Sequence, residues 1–146
     1  MIKRLLLLPL VLGLLLPLSA SAQQSQRFGP YELHYSVVNS TFVDPKVAAN
    51  YQITRGKDKA FLNLAVREHI GDSSEGRPMQ LKGRSWDLLG RSGELEFQEI
   101  REGQAIYYIA QFEFNKQEWR HFEVFFRPEG ATETYTFKHK HQLYEN

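Results

Sequence analysis

The chain has 146 residues, with 18 Lys and Arg against 17 Asp and Glu, and it has no cysteine. That balance argues against a general binder of nucleic acid or anionic membrane, which relies on a basic surplus. Without cysteine there are no disulfides and no thiol nucleophile, so stability has to come from a packed core.

The first residues read as an address. Met1-Ile2-Lys3-Arg4 is a short basic start, residues 5–16 are an apolar run broken only by Pro9 and Gly13, and Ala20-Ser21-Ala22 is a small-x-small cleavage site. These are the three parts of a secretory signal peptide. The run falls short of the ~20 residues that a membrane span needs. Cleavage after Ala22 removes Lys3 and Arg4, leaving 16 basic against 17 acidic residues and a net charge of −1 with His neutral. No cysteine follows the site to carry a lipid, and no later segment is apolar enough to span. Residues 1–22 are therefore expected to be a cleaved leader, 23–29 a flexible polar tail and 30–146 one β-sandwich domain. The expected location is the periplasm, without stable membrane insertion and without nucleic acid as a partner.

Residues 31–37 alternate, with Tyr31, Leu33, Tyr35 and Val37 on one face of a half-buried strand. Residues 39–53 break the pattern. Asp44 followed by Pro45 starts a helix, because an N-cap Asp accepts from a free N–H and Pro suits the first helical position. Val47, Ala48 and Tyr51 share a face of that helix, and Phe42 or Val43 staples it down. The helix is expected to plug an open end of the sandwich or to cross between sheets. Residues 60–67 alternate around Leu62, Leu64 and Val66. Residues 68–78, with two Gly, two Ser and a Pro, read as a mobile loop.

Residues 79–88 form a mixed strand near an edge, and residues 90–93 a tight turn. Residues 94–102 alternate until the period slips by one between Phe97 and Ile100, the mark of a bulge. Residues 105–114 are the strongest strand: Ile106, Tyr108, Ala110, Phe112 and Phe114 face one way, while Tyr107 and Ile109 make the other face apolar too, which places the strand centrally. Residues 118–126 and 132–143 complete about seven strands with short turns, so pairing is antiparallel. The expectation is all-β: an immunoglobulin-like antiparallel sandwich with one short helix after the first strand. A small closed barrel is the alternative.

The stretches YELHYSVVNSTFVDPKVAANYQITRGKDKAFLNLAV and LEFQEIREGQAIYYIAQFEF resemble a family of small exported proteobacterial proteins, domain of unknown function 4426. The motifs that carry the likeness are Asn39-Ser40-Thr41-Phe42, the helix from Pro45 to Tyr51, Leu62-Asn63 and Ala105-Ile106-Tyr107-Tyr108-Ile109-Ala110. The likeness covers nearly all of the mature chain. It implies an immunoglobulin-like sandwich in the periplasm and no reaction. Lys138 to His141 lie outside the family pattern.

Candidate sites are few. Asn39, Ser40 and Thr41 either line a small polar pocket or satisfy backbone groups where the strand ends, and the second reading is favoured. His139 and His141 share one strand face about 7 Å apart, so a metal would need a third ligand such as His34 or His121. Tyr135, Phe137 and Leu143 share that face, which favours half-buried sheet histidines and no metal. Catalytic residues are not expected. There is no Gly-x-Ser-x-Gly elbow, no base–acid arrangement around a Ser, and Glu94 and Glu96 fall on a solvent face. Tyr107, Trp119, Phe125 and Tyr144 either fill the core or form a partner face. The chain is thus read as a non-enzymatic sandwich without cofactor that binds a periplasmic protein or envelope component. A small-ligand or metal binder is the alternative.

Overall fold

A computed structural model describes residues 24–146, so the leader lies outside the described residues. Ten antiparallel strands form two sheets. The first sheet holds β1 (Gln24–Phe28), β2 (Tyr31–Asn39), β3 (Lys59–Ile70), β8 (Ala105–Glu113) and β7 (Gln98–Glu102) in that spatial order. β4 (Ser73–Arg77) pairs with the far half of β3, where β8 does not reach. The second sheet runs β10 (Tyr135–Tyr144), β9 (Gln117–Pro128), β5 (Met79–Asp87), β6 (Ser92–Leu95). No barrel closes. A 3-10 turn, Ser40–Phe42, and the helix α1, Pro45–Asn50, follow β2.

The core lies between the sheets, where alternation places it. Leu33, Leu62, Leu64 and Val66 of the first sheet meet Phe122, Val124, Phe126 and Phe137 of the second, all nearly solvent-free. Ile106 and Phe112 pack against this layer while staying partly exposed. β8 has neighbours on both sides, β3 and β7, which its two-faced apolar pattern anticipates. At Gly83 an added Cβ would stand 3.0 Å from the Glu123 carbonyl and 3.1 Å from Val124, so the core admits no side chain there.

Several expectations need correcting. Residues 24–28 are not a loose tail: every residue from Gln24 to Phe28 pairs with β2, and the Phe28 ring packs edge-on against Phe126 at 5.0 Å. Residues 68–78 are not a mobile loop but the hairpin of β3 and β4, turned by Gly71 at φ +58° and held by Arg77 on Glu68 at 2.8 Å. The slipped period near Phe97 marks a change of sheet, not a bulge, because β6 belongs to the second sheet and β7 to the first.

The helix neither plugs the end nor crosses between sheets. Val43, Tyr51 and Ile53 lie on a second, smaller cluster of Phe61, Ile100 and Ile109 on the outer face of the first sheet. Val43 is the staple, whereas Phe42 is 75% exposed; on α1 Ala48 is buried and Val47 is not.

Phe122→Ala should cost ~3–5 kcal/mol in urea unfolding, the range for a large buried side chain. Phe125→Ala, on the opposite face of the same strand, should cost less than ~1 kcal/mol. The reverse order would mean that β9 faces the other way.

Candidate functional site

The end of the sandwich where β2 finishes differs from the rest of the surface. Among the described residues eight large apolar side chains are well exposed, and five of them, Phe42, Leu88, Leu89, Trp119 and Tyr144, belong to segments that end or turn here. The topology brings them there: Asn39 at the end of β2 donates from Nδ2 to the Tyr144 carbonyl at 2.7 Å, Trp119 lies opposite Gln142, and Asp87 lies opposite Arg120.

Leu88 and Leu89 sit on the β5–β6 turn, which Asp87 organises. Its Oδ1 accepts from the Leu89 N–H at 2.9 Å and the Arg91 N–H at 3.0 Å, and its Oδ2 accepts from Arg91 Nε at 2.7 Å. Burial pushes this carboxyl up, but the hydrogen bonds from Arg91 and Leu89 outweigh burial and hold it below its ordinary range. Gly90 takes φ +79°, which suits glycine. The two leucines are therefore held outward by a fixed turn.

Behind the turn, the inner face of the second sheet becomes polar. Arg120 Nη1 donates to Ser85 Oγ at 3.1 Å, and Nη2 donates to Glu118 Oε1 and to the Glu113 carbonyl, each at 2.9 Å. Its guanidinium also lies 4.9 Å from the Phe112 ring centroid. One side chain thus ties β9 to β5 and across to β8. Arg120 Nε and Glu118 Oε2 are buried without a partner among the described residues. A cleft of about 360 Å³ lies over this group, bounded by Asp58, Asp87, Glu94 and Phe114. An adjoining one of about 500 Å³ has Leu88, Leu89 and Trp119 on its walls.

Asn39, Ser40 and Thr41 line neither cleft. Asn39 latches the end of β2 to β10. Ser40 is buried; its Oγ donates to the Gly56 carbonyl and accepts the Gly56 N–H, both at 3.0 Å. The Thr41 carbonyl accepts from Arg55 Nη2 at 3.1 Å, while Thr41 Oγ1 has no partner among the described residues. Asp44 caps α1 as expected, with Oδ1 accepting the Lys46 N–H at 2.8 Å. The hydrogen bonds of this stretch thus join β2 to β10 and to the backbone of Gly56 and Arg55.

His139 and His141 face inward on β10, their ring centroids 5.7 Å apart. Tyr35 packs 4.9 Å from His139. Burial, with a smaller push from His141, lowers His139 to about 4, and burial lowers His141 as well. The two expected third ligands do not join them. His121 stacks on Trp86 at 5.2 Å on the outer face of the second sheet. His34 lies on the outer face of the first, 3.6 Å from Glu32 Oε1, and Glu32 Oε2 is 2.6 Å from His69 Nε2. The His69 hydrogen bond, followed by one from Ser25, holds the Glu32 carboxyl below its usual range. Among the described residues no three His, Cys, Asp or Glu side chains gather to hold a metal ion. Glu94 and Glu96 are both exposed, as their solvent-face positions predict, and Glu99 accepts from the Tyr108 hydroxyl at 2.9 Å.

Residues 25–146 match the family model described as Domain of unknown function (DUF4426). The chain belongs to this family. A crystal structure of a DUF4426 family protein from Pseudomonas aeruginosa PAO1 is similar at 29% identity and a TM-score of 0.75, over 87% of this chain and 98% of that one. FetP of uropathogenic Escherichia coli strain F11 shares the fold alone: 10% identity, TM-score 0.62, 86% of this chain and 95% of that one. A copper-bound FetP variant gives the same identity and TM-score over 86% and 97%. No curated protein matches this chain in sequence.

Ser40→Ala should lower unfolding stability by ~1–3 kcal/mol, because it strands both polar groups of Gly56. Asp44→Ala should cost ~1 kcal/mol through loss of the cap. Urea melts unchanged by both would contradict the junction.

Proposed function

We propose that this DUF4426 protein is a non-enzymatic periplasmic binding protein that engages a protein or another envelope component through the β2 end of its sandwich. The observation that carries this reading is that Leu88, Leu89 and Trp119, all exposed, line one cleft at this end, beside the turn that Asp87 fixes. Single exposed apolar residues are ordinary, whereas several lining one cleft are what an interaction surface offers. The leader read from the sequence supports the periplasm. No helix among the described residues is long and apolar enough to cross a membrane. A photo-crosslinking residue placed at Leu89 in intact cells should yield adducts that mass spectrometry can identify, while one at Phe125 should not. Absence of any adduct at Leu89 would remove the reading.

Metal binding is the second reading, favoured by the His139–His141 pair and by the copper-bound protein of the same fold. What opposes it is the lack of a third ligand: among the described residues no three His, Cys, Asp or Glu side chains gather at this pair. Calorimetric titration with copper should give affinity weaker than ~1 μM. Tighter binding that His139→Ala abolishes would put metal binding first.

A further inference from the structure

The outer face of the second sheet carries a charge pattern that the chain total hides. Alternation sends Lys82 and Arg84 of β5, Arg127 of β9, and Lys138 and Lys140 of β10 to solvent on this side, and all five are exposed. The carboxylates on the same face are Glu123 of β9 and Glu94 of β6. Five cations against two carboxylates make the face basic on a mature chain that carries −1 in all. Protection of a sheet edge accounts for lysines on β10, which is an edge strand, but not for cations on β5 and β9, which are paired on both sides.

The register arranges these cations as a stripe. In four successive rows, Lys140 lies opposite His121, Arg84 and Lys138 on either side of Glu123, Lys82 opposite Phe125, and Arg127 opposite Gln80. Outward positions repeat about every 6.4–6.8 Å along a strand, so the stripe runs for roughly 20 Å. Arg84 and Lys138 share Glu123 at 3.2 and 3.7 Å, while Lys82, Arg127 and Lys140 make no ion pair among the described residues. Aromatic rings support two of the charges without neutralising them: Arg84 lies 4.7 Å from the Trp86 ring centroid and Lys140 4.8 Å from that of Trp119.

A single small anion meets one or two of these groups, whereas an extended chain with a negative group on each unit meets them all. The neighbours of the cations narrow its chemistry. The His121 ring stacks on Trp86 at 5.2 Å and Lys140 lies over Trp119, so nucleic-acid bases find these rings already occupied. Phe125 is exposed but stands between Lys82 and Thr136, so it forms no apolar wedge for a bilayer. Gln80, Thr136 and Gln142 add side-chain amides and a hydroxyl to the face, which are donors and acceptors suited to sugar hydroxyls.

We propose that this face binds an extended anionic glycan, with carboxylates on successive sugars held by Lys82, Arg84, Arg127, Lys138 and Lys140 and one sugar ring lying on Phe125. The site stands or falls independently of the Leu88–Leu89 cleft. Its occupant is a sugar chain, so a crosslinker at Phe125 still gives no protein adduct.

The protein as processed by the exporting cell is titrated with a uronic-acid oligosaccharide from alginate, a neutral dextran of similar length, polyglutamate and oligothymidylate. The expected result is saturable binding of the uronate chain that weakens as salt is raised, with no binding of dextran. Lys82→Glu combined with Arg127→Glu should lower the uronate affinity by more than about tenfold. Lys46→Glu combined with Lys57→Glu, the same change of charge away from this face, should leave it as it was. All four side chains are exposed, so the melting temperatures should not move. Phe125→Ala should weaken binding of the uronate chain but not of polyglutamate. Absence of uronate binding would overturn the proposal, as would equal losses in the two double variants or a uronate affinity untouched by Phe125→Ala. Tighter binding of polyglutamate or oligothymidylate than of the uronate chain would overturn it too, and would assign the face to acidic polypeptide or to nucleic acid.

Discussion

Side chains alone hold the two sheets together. With no cysteine in the chain, the sandwich depends on one apolar layer, in which Leu33, Leu62 and Leu64 meet Phe122, Phe126 and Phe137. That layer extends only as far as both inner faces stay apolar. Towards the β1–β2 turn it is sealed by rings: Phe28, Tyr31 and Phe126 each lie within 6 Å of Tyr135. Towards the β2 end the inner face of the second sheet changes character through Ser85, Asp87, Arg120 and His141. A buried ion pair costs desolvation that its Coulomb attraction offsets only when the remaining hydrogen bonds are made. Arg120 makes bonds to Ser85, Glu113 and Glu118, but its Nε and Glu118 Oε2 stay without a partner among the described residues, so that offset is incomplete at this end.

The alternating strands were legible in the sequence because burial on one face imposes a period of two. β2, β3, β8, β9 and β10 all carry that signature. β1 and β4 were missed for a common reason. Their residues contribute backbone pairing and ion pairs more than buried area, as with Arg77 on Glu68, so they leave little hydrophobic pattern. The slipped period at Phe97 was seen, but one sequence cannot distinguish an extra residue in one sheet from a passage between two.

The site divides along the same line. The Asp44 cap was legible because it acts within two residues of itself. The choice between Phe42 and Val43 was not, because either neighbour can reach a surface and only the position of the first sheet decides that Val43 does. The Glu32–His69 contact spans 37 residues and depends on the β2–β3 register, so His34 was offered to the wrong partners. Leu88 and Leu89 gave no signal at all, since two leucines at the end of a strand read as core until the turn is placed.

The Asp87 turn separates what the fold needs from what the proposed binding role would use. A turn of this kind needs Asp87 as its hydrogen-bond acceptor and Gly90 at positive φ, but it makes no demand on the two residues between them. Polar side chains there would serve the fold equally well and would cost less in exposed apolar surface. Leucine at both positions, beside Trp119 and in line with Tyr144, therefore adds little to the core: neither leucine is among the buried residues that form it or packed against them. The protein keeps a rigid frame under a pair of side chains that the frame does not need. Among the described residues no apolar surface covers Leu88 and Leu89, and this exposure is what the proposed binding role rests on.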